Sequence, residues 1–185
     1  MTERTYPESV RGRLLVATPD LRDPNFSRTV ILMLEHSDDG ALGVVLNRPV
    51  ELSVAEVLPD WADLSSAPAC LFVGGPVAPT AVIGLGRGDG PVFQPLFDGL
   101  GTLDLELDPA MYAPTMAELR VFVGYAGWAP RQLESELDAG GWLVLDLLPD
   151  DPFSGDPSQL WAAVLRRQGG RVAMFASAPE DPSTN

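Results

Sequence analysis

The chain has 185 residues, 45% hydrophobic, 21% charged and 8% aromatic, with 26 acidic residues against 12 basic ones and a formal charge of −14. That is the composition of a soluble globular protein large enough to fold without disulfide or metal staples. All the basic residues are arginine, and His36 and Cys70 are the single histidine and cysteine. The inventory excludes a P-loop, Schiff-base chemistry, an internal disulfide and every zinc or iron–sulfur site built on several His or Cys.

Residues 1–10 read as a frayed polar arm on a domain that spans 1–185. Neither an apolar run of ~20 residues nor a leader pattern is visible, and with one thiol the expectation is a cytoplasmic protein with no membrane association. Residues 14–17 are a short β-like apolar run. Asp23-Pro24-Asn25 reads as a turn, with Asp before Pro and Asn after it. Residues 30–34 are continuously apolar, as in a strand covered on both faces. A hairpin connection at 37–40 leads to a returning strand at 43–47, which Pro49 stops. Ser53 and Glu56 have capping-box spacing for a short helix ended by Pro59.

Residues 71–73, 81–83 and the neighbourhood of Val92-Phe93 read as strands. The last two are joined by a flexible glycine-rich hairpin loop over 84–90. That loop superficially resembles a phosphate loop but fails the dinucleotide fingerprint and precedes no helix. Leu103, Leu105 and Leu107 alternate with acids in the period of a half-exposed strand, and residues 119–125 form the next. Pro130 opens a helix over 131–137 that Gly140 stops. Residues 142–147 are a strand. Asp156, Pro157 and Gln159 open the last helix, whose Leu160, Trp161, Val164 and Leu165 form one apolar stripe. Arg166 and Arg167 suit its C-terminal dipole and Gly169 closes it. Residues 171–176 are expected to add a strand, and 179–185 read as a tail. Strands in hairpins outnumber helices, so the fold class is α/β in the broad α+β sense: a mixed β-sheet flanked by a few helices.

Several of these segments, taken together and in order, resemble the AlgH/YqgE family of bacterial proteins: Gly12-Arg13-Leu14-Leu15-Val16-Ala17-Thr18-Pro19, Asp23-Pro24-Asn25-Phe26-Ser27-Arg28-Thr29-Val30, Glu35-His36, Leu46-Asn47-Arg48-Pro49, Gly74-Gly75-Pro76-Val77 and Gly124-Tyr125-Ala126-Gly127-Trp128-Ala129-Pro130 with Gln132-Leu133-Glu134. The resemblance runs from about Val10 to the tail. It implies a compact mixed-sheet protein and brings the label of transcriptional regulator, but no established activity and no catalytic residues. Arg131 departs from the pattern, which usually has Gly there. A helix tolerates Arg better than Gly, so the fold is expected to be unaffected while any site nearby is recharged.

Candidate binding residues fall in three groups. Asn25 and Arg28, with Asn47 and Arg48 at a strand end, suit a carboxylate or phosphate, which Arg holds bidentately. A turn residue and a strand-terminating Asn are the plainer readings. Glu35 and His36 suggest acid–base chemistry, yet neighbours on a regular strand face opposite ways, and a lone histidine is more often structural. Tyr125, Trp128, Gln132 and Glu134 flank a strand-to-helix turn with backbone N–H groups suited to an anion. Trp128 also suits a packing role, and Glu134 opposes an anion.

No Ser–His–acid elbow or spaced metal-ligand set is present, so neither catalytic residues, metal ligands nor a cofactor is assigned. The expectation is a non-catalytic accessory protein that binds a small anionic ligand or a protein partner. Two alternatives stand beside it: a direct transcriptional regulator, and a metal-dependent or acid–base hydrolase built on Glu35 or His36. Against DNA binding, residues 49–185 hold nineteen acids and six arginines, a field that repels phosphates. Residues 1–48, with seven acids and six arginines, leave room for a local arginine patch.

Overall fold

The computed structural model describes residues 6–180. In chain order its elements are β1 (Leu14–Ala17), β2 (Val30–Ser37), β3 (Gly40–Val45), β4 (Pro49–Ser53), α1 (Val54–Val57), β5 (Cys70–Val73), β6 (Val77–Gly88), β7 (Gln94–Phe97), β8 (Leu100–Leu103), β9 (Met116–Trp128), α2 (Gln132–Asp138), β10 (Trp142–Leu145), α3 (Pro157–Arg166) and α4 (Gly170–Phe175). The ten strands make one mixed sheet in the order β10-β1-β2-β3-β9-β6-β8-β7, with β5 joined to β9 and β4 to β5. All pairings are antiparallel except β5 with β9. This is the expected mixed sheet with a few helices.

With both faces of the strands covered, the period-2 geometry explains why β1, β10 and the first five residues of β2 are continuously apolar. Leu14, Val16, Val30, Leu32, Leu34 and Val44 face one side and meet Leu160, Trp161, Val164 and Leu165 of α3. Leu15, Ala17, Ile31, Met33 and Val45 face the other side and meet Leu133 and Leu137 of α2. Each fully buried side chain of this size stabilises the fold by roughly 1.5–3 kcal/mol. A third cluster, with Trp61, Leu71, Tyr112, Leu119 and Val121, fills the other half.

β9 serves both halves: residues 121–123 pair with β5, 116–125 with β6, and 126–128 with β3. It turns between them at Gly124, where φ is +69° and a Cβ would lie 2.4 Å from the Gly75 carbonyl oxygen. Only glycine meets both demands.

Several local expectations are corrected. Residues 84–88 are not a loop but the end of β6. Their glycines make room for neighbours, since a Cβ at Gly86 would lie 2.8 Å from Leu103 and one at Gly88 2.6 Å from the Thr115 carbonyl. Val92-Phe93 is a turn ahead of β7. The alternating stretch after Leu103 is also a turn. The Asp104 carboxylate accepts the Glu106 N–H at 3.0 Å, a local bond that competes with strand pairing. Pro49 starts β4 rather than merely stopping β3. Residues 171–176 are not a strand. They fall in and just after α4, with Val172, Phe175 and Ala176 packing at helical spacing beside the α3 cluster.

Asp156 precedes α3 without a side-chain cap bond. Arg131 precedes α2 at φ +65°. It stands outside the helix in the left-handed region, so helix propensity does not explain its tolerance. Of the expected polar arm, residues 1–5 lie outside the described residues. Val10 is fully buried, and the Tyr6 hydroxyl donates to Asp138 at 2.9 Å.

Candidate functional site

Because β2 and β3 are antiparallel, the start of one and the end of the other lie side by side. Arg28, just ahead of β2, thereby meets Asn47 and Arg48, just after β3. Asn47 fastens the two: its Oδ1 accepts the Val30 N–H at 2.9 Å and its Nδ2 donates to the Arg28 carbonyl at 2.9 Å. Arg28 has φ +54°, strain that surrounding contacts must hold. Its guanidinium lies 4.5 Å from the centre of the Trp161 ring and donates to the Ala178 carbonyl. Trp161 is itself fixed by its indole N–H on the Ala17 carbonyl at 2.9 Å. Arg48 donates to the Ser27 carbonyl at 2.6 Å. Asp23 is the turn residue it was read to be, its carboxylate accepting the Asn25 N–H at 2.8 Å.

These residues open on a cleft of about 570 Å³ lined by Arg28, Asn47, Arg48 and, from the α3 side, Ser158, Trp161 and Arg166. Glu180 also lines it. Among the described residues three arginines thus line the cleft with one acidic residue, and none of the three forms an ion pair. In a chain with net charge −14, that is a marked local reversal of sign. Arg166 was read only as a dipole partner. Its signal was available: Ser158, Ala162 and Arg166 recur every fourth residue, placing a small-to-basic stripe on one face of α3. A second cavity of about 300 Å³ adjoins the first through Pro24 and Arg48, and Asn25 lines it.

The remaining candidates lie elsewhere. Glu35, Tyr125 and Trp128 come together at a third cavity of about 410 Å³, which Asp39 makes acidic rather than anion-binding. His36 does not join them. Its side chain is 3% exposed. Nδ1 accepts the Val10 N–H at 3.0 Å, which leaves Nε2 to donate to Glu134 Oε1 at 3.1 Å. Both ring nitrogens are thus engaged, and His36 bridges the Val10 backbone and Glu134.

Partial burial pushes the Glu134 carboxyl up, but hydrogen bonds from its own backbone N–H and from His36, with the charge of Arg131, hold it below its ordinary value. Gln132 Oε1 takes the Ala129 N–H at 3.0 Å. Two of the backbone donors at this turn are therefore already engaged, that of Ala129 by Gln132 and that of Glu134 by its own carboxylate. Glu136, which the sequence did not single out, accepts the indole N–H groups of Trp128 and Trp142 at 3.0 and 2.9 Å, and Gln132 Nε2 at 3.0 Å.

Arg120, in β9, is buried, its guanidinium 4.3 Å from the centre of the Phe72 ring, and donates to the Ala67 and Ser154 carbonyls. Desolvation lowers its pKa to about 10, against the raising influence of Cys70 and Glu118. Among the described residues no group of three or more His, Cys, Asp or Glu is placed to hold a metal ion. No described helix is long and apolar enough to cross a membrane.

Comparison with known proteins fits this architecture. The AlgH-like family model matches residues 14–173. A UPF0301 protein of Streptomyces coelicolor is 46% identical over 193 aligned residues, covering 100% of each chain, and one of Mycobacterium leprae is 42% identical over 94% of this chain and 90% of its own. Among solved structures, the crystal structure of a Corynebacterium diphtheriae protein superposes with a TM-score of 0.86 at 32% identity, covering 95% of this chain and 94% of that one. The solution structure of AlgH from Pseudomonas aeruginosa superposes with a TM-score of 0.70 at 28% identity, covering 96% and 98%. With the family model matching residues 14–173 and relatives of 46% and 42% identity covering nearly the whole chain, the chain belongs to the AlgH-like family, whose function is unknown.

Proposed function

We propose that the protein is a non-catalytic accessory or regulatory factor of the cytoplasm that holds a small anionic ligand in the Arg28–Arg48–Arg166 cleft. The observation that carries this reading is that three arginines with no ion-pair partner among the described residues line one cleft of an otherwise strongly acidic molecule. Arg28 and Arg48 are pre-positioned by Trp161, Asn47 and backbone carbonyls, so little order is lost when an anion arrives. The whole-molecule field disfavours a nucleic acid as that anion. The engagement of both His36 nitrogens argues against the acid–base hydrolase alternative.

The test is thermal stabilisation by inorganic phosphate and by small carboxylates, read on wild type and on an Arg28→Met/Arg48→Gln double variant. A ligand at 100 times its dissociation constant adds about 2.7 kcal/mol to wild type. The double variant should show no such gain, and the anion should be recovered chemically unchanged. Equal stabilisation of both proteins, or turnover lost in the variant, contradicts the proposal.

A further inference from the structure

We infer that the ligand is an organic anion with an apolar arm, its charge held by the arginines and its arm seated in the adjoining cavity; this rests on the anion-binding reading above. Two observations separate it from simple phosphate capture. First, Arg48 and Pro24 line both cavities, so a group bonded to Arg48 lies at the mouth of the second. Second, the two linings differ in chemistry. The smaller cavity is walled by Val45, Val50 and Val73 and by the prolines Pro24, Pro49 and Pro76. Proline carries no backbone N–H and a fixed φ, so this wall is rigid and poor in donors. It has little to offer a second anionic group. Val73 is 39% exposed at this wall, apolar area that an arm would remove from water.

At about 300 Å³ the cavity matches an aryl or short branched acyl group. Asn25 lines the same cavity, and its side-chain amide has no hydrogen-bond partner among the described residues. It is placed to read a hydroxyl or carbonyl on the arm. The charge complementarity at Arg48 and the apolar wall beyond it commit the site to one occupant class, an amphipathic small anion.

The experiment pairs ligands that differ only in the arm: phenyl phosphate against inorganic phosphate, and phenylacetate against acetate, titrated calorimetrically into the full chain. Burial of one such arm predicts at least about tenfold tighter binding of the phenyl member of each pair. A Val50→Ser/Val73→Ser double variant should lose most of that preference while binding inorganic phosphate as wild type does. Arg48→Gln should weaken both members of each pair. Equal affinities within the pairs, with phosphate still bound, overturn this inference and leave the anion-binding reading standing. A preference that survives the serine variant overturns the placement of the arm. Absence of any binding removes both.

Discussion

Arg131 offers a sharp quantitative test of how the turn into α2 is built. Its φ of +65° places it in the left-handed region, which costs an L-residue with a Cβ about 1–2 kcal/mol and glycine essentially nothing. Against this, glycine gains freedom in the unfolded chain, at a cost of about 0.4–1 kcal/mol relative to alanine. Arg131→Ala keeps the strain, and Arg131→Gly relieves it. Both variants remove the same charge from Glu134, so their difference isolates the backbone. The expected outcome is Arg131→Gly more stable than Arg131→Ala by up to about 1.6 kcal/mol, or roughly 3–6 °C in Tm for a chain of this size. Were Arg131 in regular helix, Gly would instead be about 1 kcal/mol worse than Ala. Urea midpoints with unchanged slopes would read the sign directly. A more stable alanine variant would refute the reasoning.

Further predictions concern the structural networks. Glu136→Ala leaves the buried indoles of Trp128 and Trp142 without an acceptor and should cost about 2–4 kcal/mol, seen as a lowered urea midpoint with a changed tryptophan emission. Glu134→Gln tests the lowered carboxyl. A carboxyl whose folded value is depressed stabilises the fold above its ordinary pKa of 4.5 and loses that contribution as pH falls through the lower folded value. Wild type should therefore exceed Glu134→Gln by a constant margin above about pH 5, a margin that narrows as the solution is acidified below it. Gly124→Ala places a Cβ 2.4 Å from the Gly75 carbonyl at positive φ. It should destabilise by about 3 kcal/mol or more, measured by thermal melting.

What the sequence made legible follows from which signals are local. β1, β2, β3, β5, β9 and β10 were readable because both-face burial demands continuous apolar runs, and α2 and α3 because their stripes repeat at helical spacing. The glycines at 84, 86 and 88 were misread as a loop because their cause is tertiary: Leu103, Phe93 and Thr115 crowd them from outside the strand. Leu105 and Leu107 mimicked a strand because an Asp104 side-chain bond diverts the backbone, and alternation alone does not register such a bond.

Arg131 was misjudged for the same reason, since nothing in its neighbours announces a left-handed φ. For the candidate site, the sequence named Arg28 and Arg48 but not Arg166, whose part depends on α3 crossing the β2–β3 end. His36 was weighed as chemistry because its titration range is visible in sequence and its two hydrogen-bond partners, 26 and 98 residues away, are not.

The most direct measurement is a titration of isotope-labelled protein with phenyl phosphate, following the arginine side-chain Nε–H resonances. The account predicts that Arg28, Arg48 and Arg166 shift together and saturate, while Arg13, Arg87 and Arg167, already paired with Asp146, Glu118 and Asp151, stay in place. Uniform, unsaturating shifts of all arginines, or no shift in the three, would contradict it.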